Sequence, residues 1–166
     1  YNSRTTDMLY LYNVSVPPFT YNTLLANIGS MRNWGTEIAI GITPLKTKDM
    51  ELNINANITF QRNKLLSLSG MYNGEMLSAP EYKSLAGLDG AGFHGGYNHI
   101  VYQMVGQPLG VFYLPHSTGL ESDGNGGYTY GIADLNGGGV SLEDGEDRYV
   151  AGQAVPKTIL GSNISF

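Results

Sequence analysis

The chain has 166 residues, of which 42% are hydrophobic and only 14% charged, with 23 glycines, 12 tyrosines and no cysteine. A charged fraction well under the roughly 25% of a typical soluble domain leaves uncharged polar residues to cover its hydrophilic surface. The lack of cysteine excludes a disulfide framework and a thiolate metal site, and no apolar run reaches the length of a membrane-spanning helix. The net charge of −5 is unevenly spread, with six Lys/Arg against four Asp/Glu in residues 1–69 and three against ten in residues 70–166, which argues against a nucleic-acid partner.

The chain opens at Tyr1 without a methionine or a signal peptide, and a piece of something larger is expected. Its first segment, TTDMLYLYNVSVPPF, is β-rich, and Pro17-Pro18 ends the strand it forms. After a polar stretch, NWGTEIAIGITPL alternates: Trp34, Thr36, Ile38, Ile40 and Ile42 face one way, Gly35, Glu37, Ala39, Gly41 and Thr43 the other. PLKTKD, residues 44–49, reads as a short turn. MELNINANITFQRNK then alternates again, with Leu52, Ile54, Ile58 and Phe60 opposed to Asn53, Asn55, Asn57 and Gln61. Together these make an antiparallel hairpin, in which even-numbered residues must meet even-numbered ones to keep the apolar faces together. If Ile42 lies opposite Met50, then Ile40 meets Leu52, Ile38 meets Ile54 and Trp34 meets Ile58, beside Phe60.

From about residue 64 the pattern breaks up. Residues 67–99 read as loop with one helical turn near Glu81, IVYQMVGQPLGVFYLP as a bent strand interrupted at Gly106 and Pro108, and ESDGNGGYTYGIADLNGGGVSLEDGEDRY as a run of acidic turns. KTILGSNISF alternates once more, with Leu160, Ile164 and Phe166 on one side.

Two environments produce the hairpin pattern. In a soluble carbohydrate-binding β-sandwich the aliphatic face is packed inside and the asparagine face is wet. In a membrane β-barrel the aliphatic face meets lipid, the polar face lines a lumen and aromatic residues gather at the interface. The sandwich is the commoner architecture, while strand length, low charge and the preference for Asn and Thr over Lys and Glu count against it, and the residues alone leave both readings open. The barrel reading makes one face lipid-facing. The lipid-facing set is then Trp34, Ile38, Ile40, Ile42, Leu52, Ile54, Ile58 and Phe60. Closure needs at least about eight strands, and only four to six are legible.

The order of YNSRTTDMLY, NIGSMRNWGTEIAI, LNINANITFQRNKLLSL, GQPLGVFY, DLNGGG, EDRYVAGQAVPK and ILGSNISF resembles a late barrel portion of the SusC/RagA-like TonB-dependent outer-membrane transporters of Bacteroidetes. Residues 70–98 match nothing in that pattern. The resemblance implies an all-β, antiparallel fold, part of a large transmembrane barrel that is incomplete in this chain. On it, residues 1–63 form barrel strands with a periplasmic turn at 44–49, residues 64–156 a large extracellular loop region and residues 157–166 the next barrel strand. It further implies the bacterial outer membrane as location, a SusD-like surface lipoprotein as partner, TonB as energiser through a missing N-terminal part, and glycan (oligosaccharide) or peptide fragments as imported substrate.

Other constellations carry less chemistry. GAGFHG, Gly90 to Gly95, satisfies G-x-G-x-x-G but lacks the preceding strand and the later acidic residue of a dinucleotide site. His94, His99 and His116 have neither cysteine neighbours nor a helix to align them as zinc ligands. DLNGGGVSLEDGED places Asp134, Asn136 and Gly139 at the first, third and sixth positions of a calcium loop, with Asp147 as the closing acid; Gly138 stands where the family it resembles commonly has an aspartate. Asp134, Asn136 and Asp147 are thus candidate calcium ligands beside the plainer reading of a hydrated acidic turn. Neither a G-x-S-x-G elbow nor a His-Asp pairing supports an enzyme, and Glu143, Asp144, Glu146 and Asp147 read as hydrated acids. Tyr97, Tyr102, Tyr113, Tyr128 and Tyr130 are candidates for stacking on sugar rings.

Overall fold

The computed structural model describes residues 1–14, 16, 19–87, 99–141 and 146–166. Pro17 and Pro18, the G-x-G-x-x-G stretch with His94, Tyr97, and the Glu143–Asp144 pair lie outside the described residues. Those described form strands β1 (Asn2–Asn13), β2 (Thr23–Lys46), β3 (Glu51–Ser67), β4 (Gly70–Tyr72), β5 (Glu75–Leu77) and β6 (Tyr82–Gly87). The order continues with β7 (His99–Met104), β8 (Val111–Pro115), β9 (Ser117–Ser122), β10 (Tyr128–Ile132), β11 (Arg148–Gln153) and β12 (Thr158–Ser165). Every pairing is antiparallel and no helix occurs among the described residues. The fold is all-β and its long-stranded sheet is open, ordered β1-β2-β3-β12, so no barrel closes among the described residues.

Two compact units divide the chain. The first comprises Tyr1–Glu81, Val105–Pro108 and Val155–Phe166. It contains the long-stranded sheet and the small β4–β5 hairpin. Its core lies at the end of β1 and β2 remote from the tight turn, where Tyr12, Ala26 and Leu77 are buried and Tyr10, Leu24, Ile28 and Tyr72 pack around them. The Tyr12 hydroxyl donates to the Leu68 carbonyl at 2.7 Å, which satisfies the one polar atom this aromatic ring carries into the core.

β2 runs for 24 residues and β3 for 17, against a usual strand of about 5–6. The β-branched and aromatic residues along both suit a pleated surface. Pairing keeps the expected parity but not the expected register: Ile42 meets Ile54 rather than Met50, Ile40 meets Ala56 rather than Leu52, Ile38 meets Ile58 rather than Ile54, and Trp34 meets Arg62 rather than Ile58. The cause is Pro44. Instead of ending β2 it sits in a bulge between Ile42 and Leu45, where a residue without an N–H costs the ladder little. The strand continues to Lys46, Leu45 comes opposite Leu52, and the turn tightens to residues 47–50 rather than 44–49. Thr47 N–H donates to the Met50 carbonyl at 2.8 Å and Met50 N–H to Thr47 Oγ1 at 3.0 Å, closing that turn.

β12 adds to the other edge of β3, with Leu160 opposite Ile58 and Ile164 opposite Ile54, so the last segment extends the same aliphatic face. A soluble sandwich would bury such a face under a second sheet. Here Ile40 is 60% exposed, Leu160 75% and Ile164 69%.

The second unit, Tyr82–Met104 with Leu109–Ala154, holds the four-stranded sheet β11-β8-β7-β6 and the β9–β10 hairpin. Among the described residues of the stretch from 64 to 156, short strands therefore predominate over loop. The helical turn expected near Glu81 does not form; Glu81 is a bend leading into β6. The first part of the acidic stretch joins a paired hairpin, Ser117–Ser122 with Tyr128–Ile132, in which Tyr128 meets Ser122 and Tyr130 meets Leu120.

Candidate functional site

The eight residues singled out for lipid contact, Trp34, Ile38, Ile40, Ile42, Leu52, Ile54, Ile58 and Phe60, share one face of the β2–β3 ladder. They do so because even pairs with even from the Arg32–Lys64 rung to the Ile42–Ile54 rung, and the Pro44 bulge then switches β2 parity so that Leu45 joins the same face across from Leu52. Leu160 and Ile164 complete it from β12. The ten steps from Leu52 to Arg62 cover about 33 Å of strand at about 3.3 Å per residue. At the roughly 40° tilt of barrel strands this is a height of about 25 Å, the height of the apolar band on such barrels.

The reverse face is built of amides over small residues. Asn57 stands between Ala39 and Gly161, and Asn55 between Gly41 and Asn163. A Cβ on Gly161 would run into Asn57 Oδ1, and one on Gly41 would stand 2.8 Å from Asn55 Oδ1, so the glycines leave the room into which the amides lean. Thr43 Oγ1 bonds Asn53 Oδ1 at 2.8 Å, Asn53 Nδ2 donates to Glu51 Oε1 at 3.1 Å, and Gln61 Nε2 donates to the Pro156 carbonyl at 2.9 Å. Glu37, opposite Thr59, is the one charged residue on the rungs from Gln61 to Asn53. Such a wall offers hydrogen-bond donors and acceptors to hydroxyl groups or water without a strong field for ions.

In the second unit the candidate calcium residues have a defined local role. Asp134 accepts from Gly137 N–H at 2.5 Å and Gly139 N–H at 3.0 Å, and Asn136 Oδ1 from Gly138 N–H at 2.8 Å. Asp147, buried and at φ 43°, accepts from Leu135 N–H and Ser141 N–H, both at 2.7 Å. The Ser141 and Leu135 amides hold its carboxyl below the ordinary carboxylate range, more than offsetting burial. Each candidate ligand thus has oxygens turned toward backbone amides of the glycine-rich loop. Among the described residues no three His, Asp or Glu side chains converge as a metal site.

The stacking candidates separate. Tyr102 is fully buried, with the Tyr113 ring edge-on at 5.4 Å and the Arg148 guanidinium 5.8 Å from its centroid. Tyr128 and Tyr130 stand 74% and 66% exposed on β10. His99 begins β7, and His116 packs against the Tyr149 ring at 5.3 Å. Arg148 is buried, and its Nη1 lies within bonding reach of Tyr102 Oη at 3.1 Å, the His99 carbonyl at 3.3 Å and the Tyr113 carbonyl at 3.4 Å. No local signal marks it, since its partners come from β7 and β8.

No family model matches the chain. Over 70 residues, 42% of its length, it is 33% identical to the TonB-dependent receptor SusC of Bacteroides thetaiotaomicron, and over 67 residues, 40% of its length, 36% identical to the TonB-dependent receptor P39 of Formosa agariphila. Those stretches span 7% and 6% of the two receptors. The chain is similar to a short portion of TonB-dependent receptors.

Proposed function

We propose that the chain is a stretch of wall and outer loop from a TonB-dependent transporter of the bacterial outer membrane, of the SusC/RagA kind, taking up glycan or peptide fragments. The observation that carries this reading is the two-faced sheet: an aliphatic face uncovered for the height of a hydrocarbon layer, backed by an amide face. Apolar groups exposed on that scale need a non-aqueous neighbour, and lipid supplies one. The amide face then borders a water-filled lumen through which a hydrated solute moves. β1 and β12 each have one unpaired edge in this sheet, and in a bilayer those edges must pair with further strands of a longer protein. On this reading the 47–50 turn is periplasmic and the second unit is extracellular, where a SusD-like lipoprotein would close over the mouth. TonB would act through parts of the protein outside this chain. Bond-making chemistry has no place in it.

Fractionation tests this reading. The full-length protein carrying this segment is expected to stay with the outer membrane through salt and urea washes, to leave it only in detergent, and to bring a SusD-like lipoprotein with it. Recovery in the soluble fraction would overturn the proposal.

A further inference from the structure

The face that carries the aliphatic stripe ends in cations. Beyond the Thr36–Phe60 rung, the next rung of that face is Asn2, Trp34 and Arg62, and the one after it Arg4, Arg32 and Lys64. Four basic residues thus lie on three adjacent strands, within about 7 Å along the strands and about 4.8 Å between them. All four are exposed. None has a carboxylate partner among the described residues, and the Lys46–Glu51 ion pair at 3.1 Å lies at the opposite end of the hairpin. Like charges directly opposite each other destabilise a ladder, and here Arg32 stands between Arg4 and Lys64. That arrangement is stable where an anion neutralises it.

Two of the four are held in place. Arg32 lies over the Trp34 ring, its Cζ 5.2 Å from the centroid, and its Nε donates to Asn2 Oδ1 at 2.9 Å. Arg62 Nη1 donates to the Gln61 carbonyl at 2.7 Å and the Lys157 carbonyl at 2.9 Å. Arg4 and Lys64 make no side-chain hydrogen bond or ion pair among the described residues and are free to reach an anion. The patch continues the aliphatic stripe directly, through Phe60 and Trp34, at the end remote from the tight turn. A ligand meeting both must therefore carry an anionic group at the top of hydrocarbon chains.

We infer that Arg4, Arg32, Arg62 and Lys64 form a binding surface for phosphorylated lipid headgroups of the outward-facing leaflet. This rests on the wall reading above. Guanidinium groups suit phosphate oxygens in pairs, and lysine adds a mobile point charge. The surface fixes the depth at which the wall sits and gathers anionic lipid around the outer rim.

The test uses the full-length protein in nanodiscs of phosphatidylcholine containing phosphatidic acid as the probe, with protein-bound lipid counted by native mass spectrometry. The wild type is expected to retain phosphatidic acid over phosphatidylcholine. Arg4→Gln with Lys64→Gln, which removes no bond within the sheet, should lower that preference by roughly fivefold for each charge removed. Glu37→Gln on the reverse face should leave it unchanged. A folded, bilayer-inserted wild type without preference for phosphatidic acid overturns this inference while leaving the wall reading intact. Failure to enter the bilayer at all overturns both.

Discussion

Ile38 stands directly across the β2–β3 ladder from Ile58, while the adjacent Glu37 pairs with Thr59 on the reverse face. One step along the backbone therefore separates the proposed lipid side from the proposed lumen. Ile38→Arg in the full-length protein should cost about 2–4 kcal/mol of folding stability if the position lies near the bilayer midplane. Glu37→Arg should cost well under that. Denaturant titration of the reconstituted protein compares them, and equal effects would place both side chains in water.

Gly35 is required by backbone rather than by conformation. A Cβ there would collide with the Phe60 carbonyl oxygen and stand 2.7 Å from the Tyr1 hydroxyl. Gly35→Ala should therefore loosen the β2–β3 pairing at a cost of about 1–3 kcal/mol. Gly161→Ala meets only the mobile end of Asn57 and should cost less. Thermal unfolding of the two variants side by side checks the order.

The alternation of β2 and β3, the face each residue takes and the return of residues 158–165 to that face were all legible, because a long strand repeats its two-residue period many times. Register was not. It depends on where the turn closes, and Pro44 reads as a stop although a bulge absorbs it. In the second unit only the bent strand over residues 100–115 was legible, as β7 and β8 on either side of Gly106 and Pro108; the other strands there, of five to six residues, carry too few periods to stand out among glycines. Asp134, Asn136 and Asp147 were legible as a group of oxygens in one loop, but the backbone N–H groups they accept from are invisible in a list of side chains.

Asp147 gives a pH dependence. Its folded carboxyl titrates below its unfolded value, so its contribution to stability is complete above about pH 4, the unfolded range for aspartate. It is lost as pH falls through the lower folded value. Hydrogen exchange at the Leu135 and Ser141 amides should accelerate across that acid window. Asp147→Asn, which tolerates the left-handed backbone, should remove the pH dependence. Calcium titration of the same pair of proteins tests the metal-ligand expectation in parallel.

Arg148 ties β7 and β8 to β11 through Tyr102 Oη and two carbonyls. Arg148→Met keeps the bulk but removes the donor shared by the Tyr102 hydroxyl and two part-buried carbonyls, at about 1–3 kcal/mol in all. Amide exchange in β7 and β8 should rise while β2 and β3 stay protected. Uniform loss of protection would contradict a role local to the second unit.

The most direct measurement uses the absence of cysteine from this chain. Single cysteines placed at Ile40, Ile58, Asn55 and Asn57 in the membrane-embedded full-length protein are spin-labelled, and their collisions with oxygen, which concentrates in lipid, are compared with those of a water-soluble nickel chelate. The account predicts oxygen-dominated relaxation at Ile40 and Ile58 and chelate-dominated relaxation at Asn55 and Asn57. Chelate access at all four positions, or alternation with the opposite phase, would contradict it.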